Sequence, residues 1–539
     1  MINLIHMRIK NYSLVLVSLL ALVTLSCKKS FTDVRPQQSV FTTDVFSSLS
    51  TARAAVNGLY SQMQSYSYYG RDAMVIPEVL SDNATRSVRT GNRYTGMNTM
   101  THTATDANVG RLWDQLYRVV VNANAIIANE EKLKGIVAPL ELPELTQLIG
   151  EAYAVRAMVY FDLAKFFSRP LTFTSDGSHL CVPLVLNPVT TVADVTYPAR
   201  ATAKQVYDQI NLDLNAALER LPASGNVIVN GVANPSWQRI RFNRFTALAL
   251  RARIAVYKSD WPVAVASASE VINSGRYTLY SYAGMLQEFR TVGNSESILE
   301  VANNTNDNPG TDSYSYLCSQ LGYGEVLGTR QSMNSRSTGT TLSTFRGLYE
   351  AYSATDSRRE FVALGNRNSL GGEVNVPLAL KYTNISTFLE NTKVLRFAEM
   401  YLSRAEALAR QAALTNDQAA LNSSVADLNL LRARRDTATG SRPLVVSLLP
   451  TPPVGQISVN AYIDTIMLER RREFALEGQR LFDLNRTRTN YVKISSAGNA
   501  VSRLVDYNAT TSSFYVRTIL PIPVGEVQAN SNLVQNPGF

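Results

Sequence analysis

The stretch L-E-R-R-R-E-F-A-L-E-G-Q-R-L-F-D-L-N-R, residues 468–486, holds five arginines and four carboxylates. Apolar residues recur at helical spacing before and within it, which predicts one amphipathic helix over residues 459–484. Gly478 lies on that helix, where its missing side chain would let a neighbouring helix approach closely. Positive and negative charges in near balance predict a partly buried ion-pair network. We therefore interpret the stretch as scaffold.

The spacing of the charges lets particular side chains pair. Side chains three residues apart meet on a helix surface, so Glu469 can reach Arg472 and Glu477 can reach Arg480. A helix that binds DNA would instead carry unbalanced positive charge on one face. We predict structural roles for Arg471, Arg472 and Glu477.

The first 26 residues have the features of a secretory signal peptide. A basic start precedes an apolar run over residues 13–25, which is too short for a comfortable membrane span. Ser26 and Cys27 follow, as at a bacterial lipoprotein cleavage site, and Cys27 would then become the acylated first residue. The alternative is an ordinary signal peptide with an incidental cysteine, because Thr24 stands where leucine is commonest.

The composition is that of an ordered globular protein that does not bind nucleic acid. The chain has 539 residues, of which 45% are hydrophobic and 18% charged, and its formal net charge is +9. No dense basic tract accompanies that modest charge. Beyond the signal, Cys181 and Cys318 could form a disulfide or remain buried thiols.

Most of the chain is predicted to form helix pairs. Apolar residues recur at three and four, and short links such as S-D-W-P favour antiparallel neighbours. Paired amphipathic helices of this kind resemble tetratricopeptide-type units, although no regular 34-residue period is found. The fold class expected is mostly α, with few short strands and a second, irregular, loop-rich half. Helices are predicted over residues 46–64, 109–133, 143–167, 203–221, 243–258, 261–273, 396–412 and 425–435.

Six segments in order resemble the SusD/RagB family of outer-membrane lipoproteins. The arginine-rich stretch resembles that family's signature, and the other segments match in the same sequence along the chain. They are C-K-K-S-F-T-D-V-R-P, G-E-A-Y-A-V-R-A-M-V-Y-F-D-L-A-K-F-F, D-W-P-V-A-V-A-S-A-S-E-V-I-N-S-G-R-Y-T-L, R-F-A-E-M-Y-L-S-R-A-E-A-L, R-R-R-E-F-A-L-E-G-Q-R-L-F-D-L and L-P-I-P-V-G-E-V-Q-A-N-S-N-L-V-Q-N-P-G-F.

The resemblance implies a nutrient-binding protein rather than an enzyme. It implies tetratricopeptide-like units, a lipid anchor in the outer membrane facing the cell exterior, and delivery of a glycan or peptide to a SusC-like, TonB-dependent transporter. It also implies an N-terminal region over residues 27–222 and a C-terminal region over residues 223–539. No cofactor, metal site or nucleic-acid partner is expected.

The ligand site is expected on two long polar segments, residues 65–108 and 302–339, by composition and by resemblance to where the family gathers its binding residues. Rings there would stack on the ligand, and polar side chains would hydrogen-bond its edge. No residue is carried over one to one, because the family motifs do not reach these segments. The candidates are Tyr69, Asp82, Asn83, Arg86, Tyr94, Tyr314, Tyr316 and Tyr323.

Two other classes of protein stay open at this point. A secreted glycoside hydrolase could use two carboxylates far apart in the chain, although no G-x-S-x-G or H-E-x-x-H signature is present. A helical-repeat adaptor without a small ligand would lack convergent rings on its loops. Release of reducing ends from glycans by the purified protein would identify the hydrolase.

The first prediction concerns the anchor. Changing Cys27 to Ala removes the only thiol available for acylation at the end of the signal, so soluble protein should accumulate in the periplasm. Surface labelling and fractionation of the wild type and the variant make the comparison. A variant that labels at the cell surface as the wild type does would disprove the lipid anchor.

Overall fold

The computed structural model describes residues 46–87, 91, 93–189, 191–330, 346–367, 374–495, 502–509 and 513–539. The signal and Cys27 lie outside these ranges, as do residues 331–339 of the second polar segment. Helices dominate the described part and its strands are short, which confirms the predicted fold class. No helix among the described residues is long and apolar enough to cross a membrane.

Most of the longer described helices agree with the apolar periodicity, whereas Asp72–Leu80 lies within a segment expected to be a loop. They are α1 (Leu49–Gln64), α2 (Asp72–Leu80), α3 (Ala107–Ala128), α4 (Leu142–Phe167), α5 (Ala203–Arg220), α6 (Arg244–Lys258), α7 (Trp261–Asn273), α8 (Phe397–Thr415), α9 (Gln418–Ala433), α10 (Val459–Glu473) and α11 (Arg480–Thr487). Shorter helices are Thr95–Asn98, Glu130–Lys134, Met285–Arg290, Tyr314–Cys318, Thr437–Gly440, Ser513–Val516 and Val524–Ala529.

Sequential helices pack against one another, as expected for tetratricopeptide-like pairs. The most extensive contacts join α4 to α5, α8 to α9, α6 to α7 and α7 to α8, while α3 also packs on α4. Small residues permit this close approach. At Gly150 on α4, a Cβ atom would lie 2.9 Å from the Cβ of Arg220 on α5. A larger residue there would push the two helices apart.

The described strands pair two by two. They are β1 (Ala84–Arg86), β2 (Ile228–Val229), β3 (Val232–Ala233), β4 (Ser297–Val301), β5 (Val326–Gly328), β6 (Leu364–Gly365), β7 (Val376–Pro377), β8 (Thr392–Arg396), β9 (Val446–Ser447), β10 (Ile457–Ser458), β11 (Tyr491–Ile494) and β12 (Ser502–Val505). The antiparallel pairs are β1 with β5, β2 with β3, β4 with β8, β6 with β7 and β11 with β12, and β9 and β10 run parallel.

The prediction of one helix over residues 459–484 is wrong. Helix α10 ends at Glu473, and the chain then passes through two residues with positive φ, Leu476 at 63° and Gly478 at 72°, before α11 begins. A Cβ atom at Gly478 would lie 2.7 Å from the carbonyl oxygen of Ala73 on α2. Gly478 therefore does allow a close approach, but of α2 against a turn.

A buried carboxylate at the end of α10 gathers three guanidinium groups. Glu473 forms ion pairs with Arg358 at 3.0 Å, Arg396 at 2.8 Å and Arg435 at 3.0 Å, and all four residues are buried. Glu296 pairs with two of the same arginines, Arg396 at 2.6 Å and Arg435 at 2.8 Å. Burial alone would raise the pKa of Glu473, but the three guanidinium groups hold that pKa well below its usual value.

One of the two ion pairs predicted within the stretch is present. Glu469 and Arg472 form an ion pair at 3.3 Å, as predicted. Glu477 and Arg480 do not pair with each other, because the turn between α10 and α11 points them in different directions. Glu477 instead binds Arg396, at 2.7 Å, and Lys381.

The structural roles of the stretch extend to the N-terminal part of the chain. Arg480 binds Asp82 at 2.7 Å, and Arg471 binds the same carboxylate at 3.3 Å. Arg471 also donates a hydrogen bond from Nε to the side-chain oxygen of Asn83 at 2.9 Å. The stretch therefore holds the segment that follows α2.

We expect Glu473→Gln to lower the free energy of unfolding by about 3–5 kcal/mol, because it leaves buried guanidinium groups without their counter-charge. Glu219→Gln is the control, since Glu219 is 76% exposed and 3.9 Å from Arg220. That variant should lose less than about 1 kcal/mol. Chemical denaturation measures both, and similar losses in the two variants would contradict the role given to Glu473.

The buried Lys493 on β11 should make the stability of the protein depend on pH. Its ammonium group is fully buried and donates to the carbonyl oxygen of Ala84 at 2.7 Å. Burial lowers its pKa to about 7, against a partial opposing effect of Asp82. The unfolded chain, with a lysine pKa of about 10.4, binds more protons between these values, so the contribution of Lys493 to stability rises with pH.

Replacing Lys493 by Met should therefore stabilise the protein, and more at pH 6 than at pH 9. At pH 6 the wild type carries the buried charge, whereas at pH 9 the folded wild type has lost it. Thermal unfolding of both proteins at the two pH values gives the comparison. An equal gain at both would show that Lys493 is not the titrating group.

Candidate functional site

Five of the eight candidate ligand residues are buried in contacts with the protein itself. The Tyr69 hydroxyl donates to Asp162 at 2.8 Å, and the Tyr314 hydroxyl donates to the carbonyl oxygen of Leu476 at 3.1 Å. The Tyr94 hydroxyl donates to Asp72 and accepts from Arg71. The buried five are Tyr69, Asp82, Asn83, Tyr94 and Tyr314.

The arginine-rich stretch accounts for the burial of Asp82 and Asn83. Burial alone would raise the pKa of Asp82, but the charges of Arg471 and Arg480 lower it strongly. Asn83 accepts from Arg471 and donates to Glu78 at 3.1 Å. These side chains already have protein partners, so their contact with a ligand stays a prediction.

The other three candidates, Arg86, Tyr316 and Tyr323, are half-buried, and the rings of the two tyrosines are in contact. Strands β1 and β5 bring the first polar segment to the second, because their antiparallel pairing places Arg86 opposite Val326. The two polar segments thus meet through a strand pair. Neither segment's sequence indicates this pairing. Both segments are also more regular than the loops expected, because they contain α2, β1, β5 and the helix Tyr314–Cys318.

A tyrosine cluster forms at this junction, made of Tyr316, Tyr323 and Phe388 with Arg93. The rings of Tyr316 and Tyr323 lie 4.9 Å apart at 81°, and Phe388 lies 6.1 Å from Tyr316. The Arg93 guanidinium lies over the Tyr323 ring at 4.0 Å, within cation–π range. These are the rings expected of a site that stacks on a polar ligand.

Glu325 lies beside the arginine of the cluster, Arg93, and beside Arg86. Glu325 forms an ion pair with Arg93 at 2.6 Å. Burial lowers the pKa of Arg86, and the negative charge of Glu325 opposes that effect. Burial raises the pKa of Glu325, with the charge of Arg93 opposing that effect. Arg86 donates in addition to the carbonyl oxygen of Gly91. The cluster therefore offers directed N–H donors beside its rings.

Phe388 was not found by sequence reasoning. It has a positive φ of 57°, a conformation that is costly for a bulky side chain and that often marks a functional segment. Side-chain hydrogen bonds hold the turn around it, since Asn384 accepts from the Thr387 amide at 3.1 Å and Glu390 accepts from the Asn384 amide at 3.1 Å. No motif in N-I-S-T-F-L-E-N indicates this.

A cleft of about 490 Å³ adjoins the cluster, and Arg93 lines it. Its size is that of a small-ligand pocket. Asp106 and Asn108, at the start of α3, line it as hydrogen-bonding groups, and the candidate Tyr94 also contributes to the lining. The described lining is Gly91, Arg93, Tyr94, Thr95, Gly96, Met97, Asp106, Ala107 and Asn108.

The described residues provide no metal site of three or more histidine, cysteine or carboxylate side chains. Cys181 and Cys318 are both free thiols and both buried, so they do not form the disulfide left open by the sequence. Burial raises the pKa of each thiol, that of Cys181 to about 11, which keeps both protonated at neutral pH.

Two family models match the chain. The model of the SusD family matches residues 295–539, and a model described as starch-binding and associating with the outer membrane matches residues 30–256. The chain belongs to the SusD family. The predicted division between residues 222 and 223 falls inside the second of these matches, and it stays a prediction.

Relatives and solved structures resemble the chain over nearly its whole length. SusD-like protein P2 of Formosa agariphila is 24% identical and the match covers 92% of this chain and 93% of that protein. A SusD superfamily protein of Bacteroides vulgatus has a TM-score of 0.71 at 25% identity, covering 91% of this chain and 99% of that one. A SusD-like carbohydrate-binding protein of the same organism has a TM-score of 0.67 at 19% identity, covering 90% and 97%.

Proposed function

We propose that this protein binds an oligosaccharide at the cell surface and passes it to a SusC-like, TonB-dependent transporter. The observation that carries the binding role is the tyrosine cluster of Tyr316, Tyr323, Phe388 and Arg93 at the rim of the 490 Å³ cleft. One family model is described as starch-binding, and one structural neighbour as carbohydrate-binding, which supports the sugar class.

The chemistry of the site suits a sugar. A pyranose ring has an apolar face of C–H groups, which packs on an aromatic ring, and an edge of hydroxyl groups, which hydrogen-bond to polar side chains. Tyr316 and Tyr323 are half-buried, so part of each ring is open to such a contact. Arg93, Asp106 and Asn108 supply donors and acceptors within the cleft beside them.

The same site gives little support to the hydrolase alternative. Glycoside hydrolysis needs two carboxyl groups about 5–10 Å apart across the bond that is cleaved. Among the described residues that line the cleft, Asp106 is the one carboxylate. The nearby Glu325 forms an ion pair with Arg93 at 2.6 Å and does not belong to that described lining. Binding without catalysis is therefore the function we propose.

Delivery to a transporter and attachment by lipid complete the proposal. They rest on membership of the SusD family and on the signal that precedes Cys27. The outer membrane is named in the description of the matching N-terminal family model, which agrees with a lipid-anchored protein there. Purification of the protein from its native membrane should recover a TonB-dependent transporter with it.

The binding site is tested by removing its rings. Tyr323→Ala and Tyr316→Ala should each weaken oligosaccharide binding about tenfold or more, because truncating a stacked ring at the centre of a site costs about 2 kcal/mol. Tyr282→Ala is the matched control. Tyr282 is 37% exposed, and its hydroxyl donates to the Thr355 carbonyl outside the cluster.

Calorimetry with maltoheptaose comes first, followed by an array of plant and bacterial glycans and a panel of peptides. Thermal unfolding of each variant verifies that the loss lies in binding and not in folding. If both cluster variants bind the selected glycan as the wild type does, the site lies elsewhere. Binding of peptides alone would exclude the carbohydrate class while leaving the cluster as the site.

A further inference from the structure

A second cavity, of about 310 Å³, lies between the segment that follows α4 and the C-terminal segment. It shares no described lining residue with the cleft beside the tyrosine cluster. Arg169, His179 and Arg200 provide its polar walls, and the remainder is largely apolar, with Phe173, Ile519 and Val534 among the side chains. Its volume is at the lower end of the range for small-ligand pockets.

The two arginines of this cavity, Arg200, which is buried, and Arg169, which is half-buried, differ from the ion-paired arginines of the scaffold. Several buried arginines elsewhere meet carboxylates, as in the pairs Arg156 with Asp213, Arg241 with Glu151 and Arg253 with Glu399. Within the described ranges, neither Arg169 nor Arg200 has a carboxylate within ion-pair distance. A buried charge without a counter-charge is unfavourable, so an anion entering this cavity would be stabilised.

Arg200 is held in place by neutral acceptors. It is 7% exposed, and it donates to the carbonyl oxygens of Cys181 at 2.6 Å, Val534 at 3.0 Å and Leu180 at 3.1 Å. A fourth bond goes to the side-chain oxygen of Asn536 at 2.8 Å. These contacts fix the guanidinium group but leave its charge uncompensated. Burial lowers the pKa of Arg200, because it removes water from the charged guanidinium group.

Arg169 repeats the pattern on another wall. It donates to the Thr518 hydroxyl at 2.8 Å and to the Tyr515 carbonyl oxygen at 3.2 Å, and it stacks over the Tyr515 ring at 4.1 Å. Burial lowers its pKa as well, and Arg488 adds to that effect. A guanidinium group has five N–H donors, so Arg169 retains the capacity to bind an oxyanion.

The pKa of His179 depends on the charges around this cavity. Its Nε2 lies 3.1 Å from the Arg169 carbonyl oxygen, which can only accept, so Nε2 carries the hydrogen. Its Nδ1 lies 2.9 Å from the Thr174 hydroxyl. Burial lowers the pKa of His179, the charges of Arg200 and Arg169 lower it further, and Asp176 opposes them.

We propose that this cavity binds a small organic carboxylate, with its anionic group held by Arg169 and Arg200 and its apolar body against Phe173, Ile519 and Val534. The two guanidinium groups select the charge, because a carboxylate accepts from them and neutralises them. The apolar walls favour an anion with an apolar part, since a fully hydrated inorganic ion would leave them without contacts. This inference does not depend on the proposed oligosaccharide site.

The histidine gives a direct test in the full mature chain without a histidine tag. Residues 27–539 contain two histidines, and burial lowers the pKa of the other one, His102, to about 4. The titration of His179 can therefore be followed by NMR separately from that of His102. Benzoate should raise its pKa by about half a unit or more, because a nearby negative charge favours the imidazolium.

Benzyl alcohol is the matched neutral probe, and sulfate is the inorganic one. The proposal expects benzoate to shift the titration at millimolar concentration, benzyl alcohol to leave it unchanged, and sulfate to act more weakly than benzoate. Absence of a shift with benzoate, or an equal shift with benzyl alcohol, would overturn the site. Sulfate acting as strongly as benzoate would overturn its preference for an organic anion.

Variants distinguish the cavity from a general effect of charge. Arg169→Gln should weaken benzoate binding about tenfold or more, whereas Arg169→Lys should retain part of the affinity. Arg276→Gln is the control, because Arg276 likewise donates to carbonyl oxygens and stacks on a ring, that of Phe245, outside this cavity. Unchanged affinity in Arg169→Gln would refute the proposal. If that variant does not fold, the three probes on the wild type still decide.

Discussion

The ion-pair network around Glu473 is the interaction on which the C-terminal half depends. Arg358 comes from the short helix Ser357–Val362, Arg396 from the end of β8, and Arg435 from the segment after α9. One carboxylate therefore joins three parts of the chain that are distant in sequence. Buried charges satisfy one another only in a narrow set of geometries, so the network favours one arrangement of these elements over others.

The network is connected to the candidate site through Arg471 and Arg480, which lie on either side of Glu473 in the sequence. Arg471 and Arg480 bind Asp82, which lies two residues before the start of β1, and β1 pairs with β5. The tyrosine cluster therefore lies beside a strand pair whose first strand is preceded by a residue bound to the scaffold. A rigid support of this kind reduces the conformational entropy that a binding site loses when a ligand enters. The stretch of residues 468–486 therefore supports the segment that carries the candidate site.

The cavity of Arg169 and Arg200 differs from the Glu473 network in how its positive charges are compensated. Where arginine meets carboxylate and both are buried, as around Glu473, the charges are satisfied and hold the fold. Around Arg169 and Arg200 the described acceptors are neutral, and a cavity lies beside them. An uncompensated positive charge next to an accessible volume is the physical basis for expecting an anion there.

The sequence by itself determined the helix pairs, the family and the scaffold role of residues 468–486. Those properties are local: apolar periodicity fixes which face of a helix is buried, and balanced charge within one stretch predicts pairing. It also placed Arg86, Tyr316 and Tyr323 in the segments that converge. It could not separate these three from Tyr69 and Tyr314, because a tyrosine in a polar segment has the same local pattern whether it is exposed or buried.

Only the tertiary structure decided the partners of the charged residues and the shape of the site. Glu477 binds Arg396 and Lys381 rather than Arg480, because positive φ at Leu476 and Gly478 ends the helix and redirects both side chains. Phe388 joins the cluster through a strained turn that has no sequence signal. Such contacts connect residues far apart in the chain, and their selection depends on the packing of every element between them, which no local pattern contains.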